Sequence, residues 1–378
     1  MTGPAGDGGA GPATRTDNPG WIADDPAEIT PEWMTDVLRA SGNDAEVIGL
    51  RFAPVGTGQT AVSYRFHLDL APDVAPGAAE RGPATVVVKM AAGAPAVRRR
   101  LRLAYSNEVG FYRTFAGRTP GRVPRCWNAA LSEDGLRFTL VLEDAYPARP
   151  GNQVDGATPA QALVAVRNLA GLHAPFWNDA ALAGDAPWLV RLDDAGLAYL
   201  GKVVTAAAAE FTKRYEDELG AEDVDTLRRA AGLVAGWGRH TAAPVSLVHG
   251  DYRLDNLLFS GDREVRAVDW QTIEAGFPGR DLAYFVSTAL PPADRRAQEA
   301  ALVAAYHQEL VEHGVTDYPA DVCFEDYRRG MLQGPLITMI GCVYASAPRT
   351  ESSDRMFLSM ATNAAAAIRD LGVLDLLA

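Results

Sequence analysis

The sequence predicts an α+β protein with two lobes, a sheet-rich N-terminal part followed by a helical C-terminal part. Up to about residue 142, short β-branched and apolar runs alternate with turn residues, which is typical of strands. From about Thr158 onward, apolar residues recur at helical spacing. The length of 378 residues is enough for two separate cores. Strands first and helices afterwards indicate the α+β class, because the two kinds of element are then segregated along the chain.

The N-terminal lobe is predicted over residues 21–145. Its first helix begins at Thr30, because threonine caps a helix and Pro31 fits the first helical position. A second helix, Pro95–Ala116, carries Glu108 in its later part. The predicted strands of this lobe are Val47–Val55, Ala61–Leu70, Thr85–Met90, Val123–Leu131 and Leu136–Leu142.

The C-terminal lobe is predicted over residues 146–378 as a set of helices. Thr158 and Pro159 repeat the cap-plus-proline start. Leu197–Leu219 and Ala221–His240 continue the helical pattern. One β-like segment, Leu247–Trp270, interrupts the helices, and we expect functional residues there.

Composition restricts the class of partner. Residues 1–20 are rich in Gly, Ala and Pro without a signal-peptide pattern, so we expect a disordered tail. The net charge of −13 argues against nucleic acid, whose phosphates select basic surfaces. The sequence has no apolar run of about 18 residues, so we predict no membrane span. Three widely spaced cysteines fit a reducing cytoplasm, and the oligomeric state is left open.

The segment from His249 to Trp270 carries the chemistry. His249–Asn256 reads as a loop that contains Asp251 and Asn256 five residues apart. Two short apolar strands then form a predicted hairpin, and Asp269 follows the second strand. A hairpin brings its two ends together, so Asn256 and Asp269 are expected to lie close to each other, with Asp251 nearby.

This set of residues suits phosphoryl transfer. The reaction needs a carboxylate to take the proton of an attacking hydroxyl, and hard oxygen ligands for Mg²⁺. We therefore predict Asp251 as the catalytic base and Asn256 and Asp269 as metal ligands. The spacing Asp-x-x-x-x-Asn with a later Asp is the protein-kinase arrangement. Here Gly250 replaces the usual Arg, and Asp269 is followed by Trp and Gln where kinases have Phe and Gly.

With these motifs in view, the chain resembles the aminoglycoside phosphotransferase and choline kinase-like superfamily. Its signature His-Gly-Asp-x-x-x-x-Asn is present as His249–Asn256. The Asp-Trp-Gln sequence from Asp269 and the Gly-Arg-Asp-Leu-Ala-Tyr-Phe sequence of Gly279–Phe285 look closest to the ecdysteroid kinase-like branch. The resemblance implies a protein-kinase-like two-lobe fold, with an antiparallel N-terminal sheet and one helix, and ATP bound between the lobes.

The resemblance also implies a set of nucleotide-binding residues. Lys89 matches the lysine that contacts the α- and β-phosphates, and Glu108 matches its ion-pair partner. The small-residue turn from Gly56 lies where the phosphate-covering loop is expected, although Ala61 stands near the place of the third glycine of protein kinases. Leu142–Ala145 corresponds to the segment whose backbone meets the adenine. The residues implied are Lys89, Glu108, Gly56, Thr57, Gly58, Glu143 and Ala145.

Other polar residues of these motifs have simpler interpretations. His249 is expected to hold the catalytic loop by hydrogen bonding, and Asp255 to be a hydrogen-bonding residue of the same loop. Asp281 opens a helix, where it is either an N-cap or a brace for the catalytic loop. His173 lies on an apolar helix face and is expected to be a core histidine.

The predicted function is ATP-dependent transfer of a γ-phosphate to a hydroxyl of a small molecule. A nucleotide-binding pseudokinase is the alternative from another class, and retention of the predicted catalytic residues speaks against it. A protein substrate is disfavoured because only eleven residues separate Asp269 from Asp281, too few for a regulated activation segment.

The acceptor is left open between two kinds of molecule. An aminoglycoside needs carboxylates, and a sterol-like or other alcohol needs an apolar wall, such as Leu332–Tyr344. Resemblance to the ecdysteroid kinase-like branch favours the alcohol. The candidate carboxylates are Glu274, Asp321, Glu325 and Asp326.

Overall fold

The computed structural model describes residues 21–56, 61–72, 82–186, 188–189, 191–241, 243–344 and 349–377. The predicted disordered tail, residues 1–20, lies outside the described residues. The strands are β1 Val47–Pro54, β2 Ala61–Leu70, β3 Thr85–Ala91, β4 Cys126–Leu131, β5 Phe138–Glu143, β6 Arg149–Pro150, β7 Ser246–Val248, β8 Leu257–Ser260, β9 Glu264–Ala267 and β10 Glu274–Gly276. The helices are α1 Pro31–Ala40, α2 Pro95–Thr114, α3 Pro159–His173, α4 Leu182–Asp185, α5 Asp194–Arg214, α6 Ala221–His240, α7 Gly279–Ala289, α8 Pro292–Glu312, α9 Ala320–Arg329, α10 Gln333–Tyr344, α11 Glu351–Asp370 and α12 Val373–Leu376.

The α+β class predicted from the sequence is confirmed. A five-stranded antiparallel sheet comes first, helix α2 lies between β3 and β4 in the chain, and helices dominate after β5, which is the element order of a protein-kinase-like fold. The described residues form two compact units. The first comprises the chain up to Arg100 together with Arg125–Asp144, and the second comprises Leu101–Pro124 and the chain from Ala145 onward.

The first unit is built on the sheet with strand order β1-β2-β3-β5-β4. Strand β3 is central, and its Val86, Val88 and Met90 are buried on one face, as expected for alternation in a half-covered sheet. Helix α1 packs its apolar residues into the same core. It begins as predicted, because the Thr30 side chain accepts a hydrogen bond from the Trp33 N–H at 3.2 Å.

The second unit is helical, and a small β-hairpin lies within it. Helix α3 begins at the predicted site with a capping box, in which Thr158 and Gln161 each accept a backbone N–H of the other. Strands β8 and β9 pair from Leu257 opposite Ala267 to Ser260 opposite Glu264. Among the described residues, no helix has both the length and the apolar character needed to cross a bilayer.

Two predicted elements differ from the structure by three residues or more at one end or both. Strand β4 begins at Cys126 instead of Val123, and Pro124, which has no N–H to give to a ladder, lies in the excluded stretch. Helix α5 covers Asp194–Arg214 instead of Leu197–Leu219. Its start is earlier because the Asp193 side chain accepts a hydrogen bond from the Gly196 N–H at 2.8 Å, which makes Asp193 the N-cap.

Candidate active site

The catalytic loop runs from the end of β7 to the start of β8 and is held from behind by helix α7. Asp281 lies in the first turn of α7 and is fully buried. Its Oδ2 accepts the backbone N–H of His249 at 2.6 Å, and its Oδ1 accepts that of Gly250 at 2.9 Å. Of the two roles predicted for Asp281, the structure therefore shows the brace of the loop.

A buried pair of side chains supports Asp281. The Nε2 atom of His173 lies 3.3 Å from Asp281 Oδ2, and its Nδ1 lies 2.8 Å from the hydroxyl of Tyr306. His173 is a buried core histidine, as predicted. Burial by itself raises the pKa of Asp281, but the hydrogen bond and charge of His173, with help from His249, outweigh it and lower the pKa below its usual value. The carboxylate is thus held in its ionised form.

His249 fixes the loop with its side chain. Its Nδ1 accepts the Asp251 N–H at 3.3 Å, so its Nε2 carries the proton and donates to the Val268 carbonyl at 3.1 Å. The ring thereby joins the catalytic loop to the end of the β8–β9 hairpin. This is the loop-holding role that the sequence predicted for His249.

Gly250 has a conformation that other residues rarely adopt. Its φ is +82°, and a Cβ atom placed on it would lie 2.5 Å from the Thr272 carbonyl oxygen. We expect Gly250→Ala to lower the free energy of unfolding by about 3 kcal/mol, because strained φ and a backbone clash add. Chemical denaturation measures the change.

The matched control is Gly261→Ala. Gly261 also has a positive φ, of +60°, but a Cβ atom placed on it would meet nothing within 4 Å apart from its own chain neighbours. Gly261→Ala is expected to lower the free energy of unfolding by only about 1 kcal/mol. Equal losses at the two glycines would contradict the proposed clash with Thr272.

Asp251, the predicted base, is held by three donors. The Tyr284 hydroxyl donates to its Oδ1 at 2.9 Å, the Asn256 side-chain amide donates to its Oδ2 at 3.0 Å, and Arg253 Nε lies 3.3 Å away. The Asp251 side chain nevertheless keeps 21% of its surface exposed. A carboxylate that is anchored by donors on both oxygens and is still partly exposed can receive a proton from an incoming hydroxyl.

Arg253 links the catalytic loop to helix α11. Its Nη1 donates to Asp255 Oδ2 at 2.6 Å and lies 3.1 Å from the sulfur of Met356 on α11. Burial raises the pKa of Asp255, and the charge of Arg253 opposes this shift. Asp255 therefore acts within the loop as an ion-pair partner, consistent with its predicted role.

The hairpin brings the two predicted metal ligands into adjacent positions. The Val268 N–H donates to the Asn256 carbonyl at 3.0 Å, and Asp269 is the next residue. The Asn256 amide nitrogen donates to both the carbonyl and Oδ2 of Asp251, which leaves Asn256 Oδ1 as the atom suited to a cation. Asp269 has a φ of +68°, a strained conformation of the kind that clusters at functional sites.

Asn256 and Asp269 suit a magnesium ion better than a metal that is bound by protein side chains alone. In the part of the chain that the structure describes, no three histidine, cysteine or carboxylate side chains form a metal-binding group. Mg²⁺ is commonly held by one or two protein oxygens together with substrate phosphates and water. An Asn oxygen beside one carboxylate matches that pattern.

Helix α2 packs directly on the segment after Asp269. Trp270 stacks on Phe111 with ring centroids 3.5 Å apart and planes 4° from parallel. The Gln271 side chain donates to Glu108 Oε2 at 3.2 Å, and Asn107 donates to the Gln271 carbonyl at 2.9 Å. Glu108 is buried, and Gln271 provides one hydrogen bond to its carboxylate within this unit. The predicted nucleotide-binding Glu108 is thus joined to the segment that follows Asp269, a predicted metal ligand.

The other predicted nucleotide-binding residues lie mainly in the first unit. Lys89 is on the central strand β3, partly buried, opposite Ser63 and Leu140. Gly56 has a φ of +75°, while Thr57 and Gly58 lie outside the described residues. Glu143 ends β5, and its N–H donates to the Arg125 carbonyl at 2.7 Å. Ala145 follows in the second unit, where its carbonyl accepts the Ala148 N–H at 2.9 Å.

The sequence did not identify three side chains that contact the catalytic loop from distant positions in the chain. The hydroxyl of Tyr284 reaches Asp251, and the Gln333 side chain donates to the Gly250 carbonyl at 2.8 Å. Met356 reaches Arg253. Tyr284 lies inside a motif that the sequence singled out, so its position was a usable signal. No sequence signal marked Gln333 or Met356.

A model of the ecdysteroid kinase-like family matches residues 191–315. This range contains the catalytic loop, the hairpin and helix α7. The match agrees with the resemblance to the ecdysteroid kinase-like branch that the sequence motifs indicate. No curated protein matches the sequence.

Solved structures of similar fold include three phosphotransferases. A Plasmodium vivax ethanolamine kinase has 12% identity over 84% of this chain and 83% of its own, with a TM-score of 0.48. A macrolide 2′-phosphotransferase from Brachybacterium faecium has 17% identity over 87% and 97%, with a TM-score of 0.44. A spectinomycin phosphotransferase in complex with ADP and spectinomycin has 10% identity over 90% and 98%, with a TM-score of 0.47.

Proposed function

We propose that this protein is an ATP-dependent kinase that phosphorylates a hydroxyl of a small-molecule alcohol, with Asp251 as the catalytic base. The observation that carries the proposal is the position of Asp251. Its carboxylate is anchored to Asn256 at 3.0 Å, at the base of the hairpin that leads to Asp269, and remains partly exposed. A base beside two magnesium-type ligands is the arrangement that phosphoryl transfer requires.

The proposed step is an in-line displacement at phosphorus. The acceptor oxygen forms a bond to the γ-phosphorus of ATP while the bond from that phosphorus to the bridging oxygen breaks, and ADP leaves. The proton of the acceptor hydroxyl passes to Asp251. The exposed part of the carboxylate orients the hydroxyl, and the three donors hold the carboxylate in place.

The remaining residues have supporting roles in this proposal. Asn256 Oδ1 and the Asp269 carboxylate would hold Mg²⁺, which neutralises charge on the phosphates when bound. Lys89, with Glu108 as its partner, is assigned to the phosphates by the resemblance. Gly56, Thr57 and Gly58 are assigned to the same phosphates, and the backbone of Glu143 and Ala145 to the adenine. A cytoplasmic location belongs to the same proposal.

The charges of the helical unit favour a neutral alcohol over a cationic antibiotic as acceptor. Of the four candidate carboxylates, Glu274 pairs with Arg280, and Glu325 pairs with Arg328 at 2.6 Å. Asp326 is buried, and it accepts the Tyr318 hydroxyl at 2.9 Å. These three carboxylates already have internal partners, so they are poorly placed to bind a multivalent cation, since binding would first break these pairs. The exposed Asp321 is the remaining candidate, and one carboxylate is a weak site for a multivalent cation.

Partly buried apolar side chains of α10 and α11 support the same choice. Most of the run Leu332–Tyr344 is core, since Leu332, Leu336 and Met339 are buried. Ile337 and Ile340 on α10 remain only partly buried. Met356 on α11 is also partly buried, and it lies against Arg253, next to the base. An alcohol with an apolar body can contact Met356 while its hydroxyl reaches Asp251.

The experiment is acceptor-dependent ADP formation by purified protein with Mg²⁺ and ATP. The acceptors are a sterol, a hydroxyacyl thioester, choline and an aminoglycoside. The proposal predicts the fastest ADP formation with the sterol or the thioester. Preference for the aminoglycoside would overturn the proposed acceptor class but keep the kinase. ATP binding without turnover on any acceptor would favour a pseudokinase.

A further inference from the structure

Helix α7 contacts the catalytic loop at two points of different kind. Asp281 in its first turn accepts backbone N–H groups of the loop. Tyr284, three residues later on the same helix face, reaches the side chain of the base, with its hydroxyl 2.9 Å from Asp251 Oδ1. One rigid helix thus sets both the path of the loop and the direction of its carboxylate.

The Tyr284 hydroxyl differs from the other two donors on Asp251. Arg253 is 22% exposed and shares its guanidinium with Asp255, and its Nε is 3.3 Å from Asp251. The Asn256 amide belongs to a residue proposed to bind metal. Tyr284 is fully buried, so its ring cannot move without disturbing the core around it. Among these three, it is the most deeply buried donor.

The phenol of Tyr284 acts as a donor throughout the working pH range. Burial, and next the negative charge of Asp251, raise the pKa of Tyr284 well above its usual value. The hydroxyl therefore keeps its proton and can only donate it to the carboxylate. A carboxylate oxygen has more than one acceptor site, so this bond leaves Asp251 able to receive another proton.

We propose that Tyr284 is a positioning residue, whose hydroxyl holds the Asp251 carboxylate in the orientation that accepts the proton of the acceptor alcohol. This inference rests on the proposed function of Asp251. It differs from a purely structural role, in which the hydroxyl only satisfies a buried hydrogen bond. A structural role affects stability, whereas a positioning role affects the chemical step and leaves nucleotide binding unchanged.

The test is Tyr284→Phe, which removes one oxygen atom and keeps the ring. Turnover is followed as ADP formation from MgATP with the fastest alcohol of the panel, and also from MgATP alone, where water is the acceptor. We expect kcat to fall about tenfold while the KM for ATP stays within about twofold of wild type. The matched control is Tyr327→Phe, because the Tyr327 hydroxyl is also buried and donates to a carboxylate, Glu299, at 3.0 Å.

A second comparison distinguishes the loss of Asp251 positioning from a general loss of structure. In an Asp251→Asn background the residual single-turnover rate is expected to be the same with Tyr284 or with Phe at that position, since the base is already lost. A further loss as large as in the wild-type background would overturn the proposal. So would a kcat for Tyr284→Phe within about twofold of wild type, or an equal loss for Tyr327→Phe.

The outcomes also separate this inference from the proposed function. If Asp251→Asn is inactive and Tyr284→Phe has wild-type kcat, only the positioning role is wrong. If Asp251→Asn keeps full turnover, the assignment of the base is wrong and the role of Tyr284 falls with it.

Discussion

Asp251→Asn is expected to lower turnover by about three orders of magnitude while the affinity for MgATP stays within a few-fold of wild type. The asparagine keeps the size of the side chain and one oxygen acceptor, but it cannot take a proton from the attacking hydroxyl. Nucleotide binding is retained because the proposed phosphate and metal contacts come from other residues. Steady-state ADP formation gives the first quantity, and calorimetric titration with MgATP gives the second.

The control for this change is Asp262→Asn in the turn of the same hairpin. Asp262 is exposed, so loss of its charge should leave turnover unchanged. A parallel loss in both variants would show that the hairpin responds to any loss of charge, and full turnover in Asp251→Asn would refute the base assignment.

Asp281→Asn is expected to destabilise the second unit by roughly 3 kcal/mol and also to reduce turnover. The buried carboxylate accepts N–H groups on both oxygens, from His249 on Oδ2 and from Gly250 on Oδ1. An asparagine can accept only one of them, and its own NH₂ group then faces the other donor. Urea denaturation measures the stability, with the exposed Asp217→Asn as the control.

The effect of Asp281→Asn should depend on pH in a defined direction. The pKa of Asp281 is lowered in the folded protein, so the stability that its charge provides is fully present above its unfolded pKa, about 4. This stability is lost as the pH falls through the lower, folded pKa. The difference in unfolding free energy between wild type and Asp281→Asn should therefore be constant near neutral pH and shrink below about pH 4. A difference that grows in acid would contradict the assigned sign.

The part of this site that can be predicted from the sequence lies in local motifs. Asp251, Asn256 and Asp269 are joined by a short loop and a hairpin, so their proximity follows from spacing along the chain. The brace is one of the two roles that the sequence predicts for Asp281, because this residue lies in a recognisable motif at the start of a helix. The strand order of the first sheet also follows from successive antiparallel pairing, apart from the exchange of β4 and β5.

The rest depends on tertiary packing that no local pattern encodes. Tyr284 and Asp251 are 33 positions apart, and Gln333 and Gly250 are 83 apart. Their contacts depend on how α7 and α10 pack, and packing allows many partners for a given apolar face. Asp193 as a cap was overlooked because the apolar pattern of α5 only becomes clear from Leu197. The contact between Arg253 and Met356 joins residues 103 positions apart, so it is the hardest of these contacts to predict from the sequence.

The most direct test of the central claim is calorimetric binding of ATP to the wild-type protein with Mg²⁺ and with excess EDTA. The Asp269→Asn variant is measured in the same way, because asparagine tolerates the positive φ of this position and removes the charge. Wild type is expected to bind ATP with Mg²⁺, and EDTA or the substitution is expected to weaken binding at least about tenfold. Absence of ATP binding under every condition, or binding that is indifferent to both metal and Asp269, would contradict it.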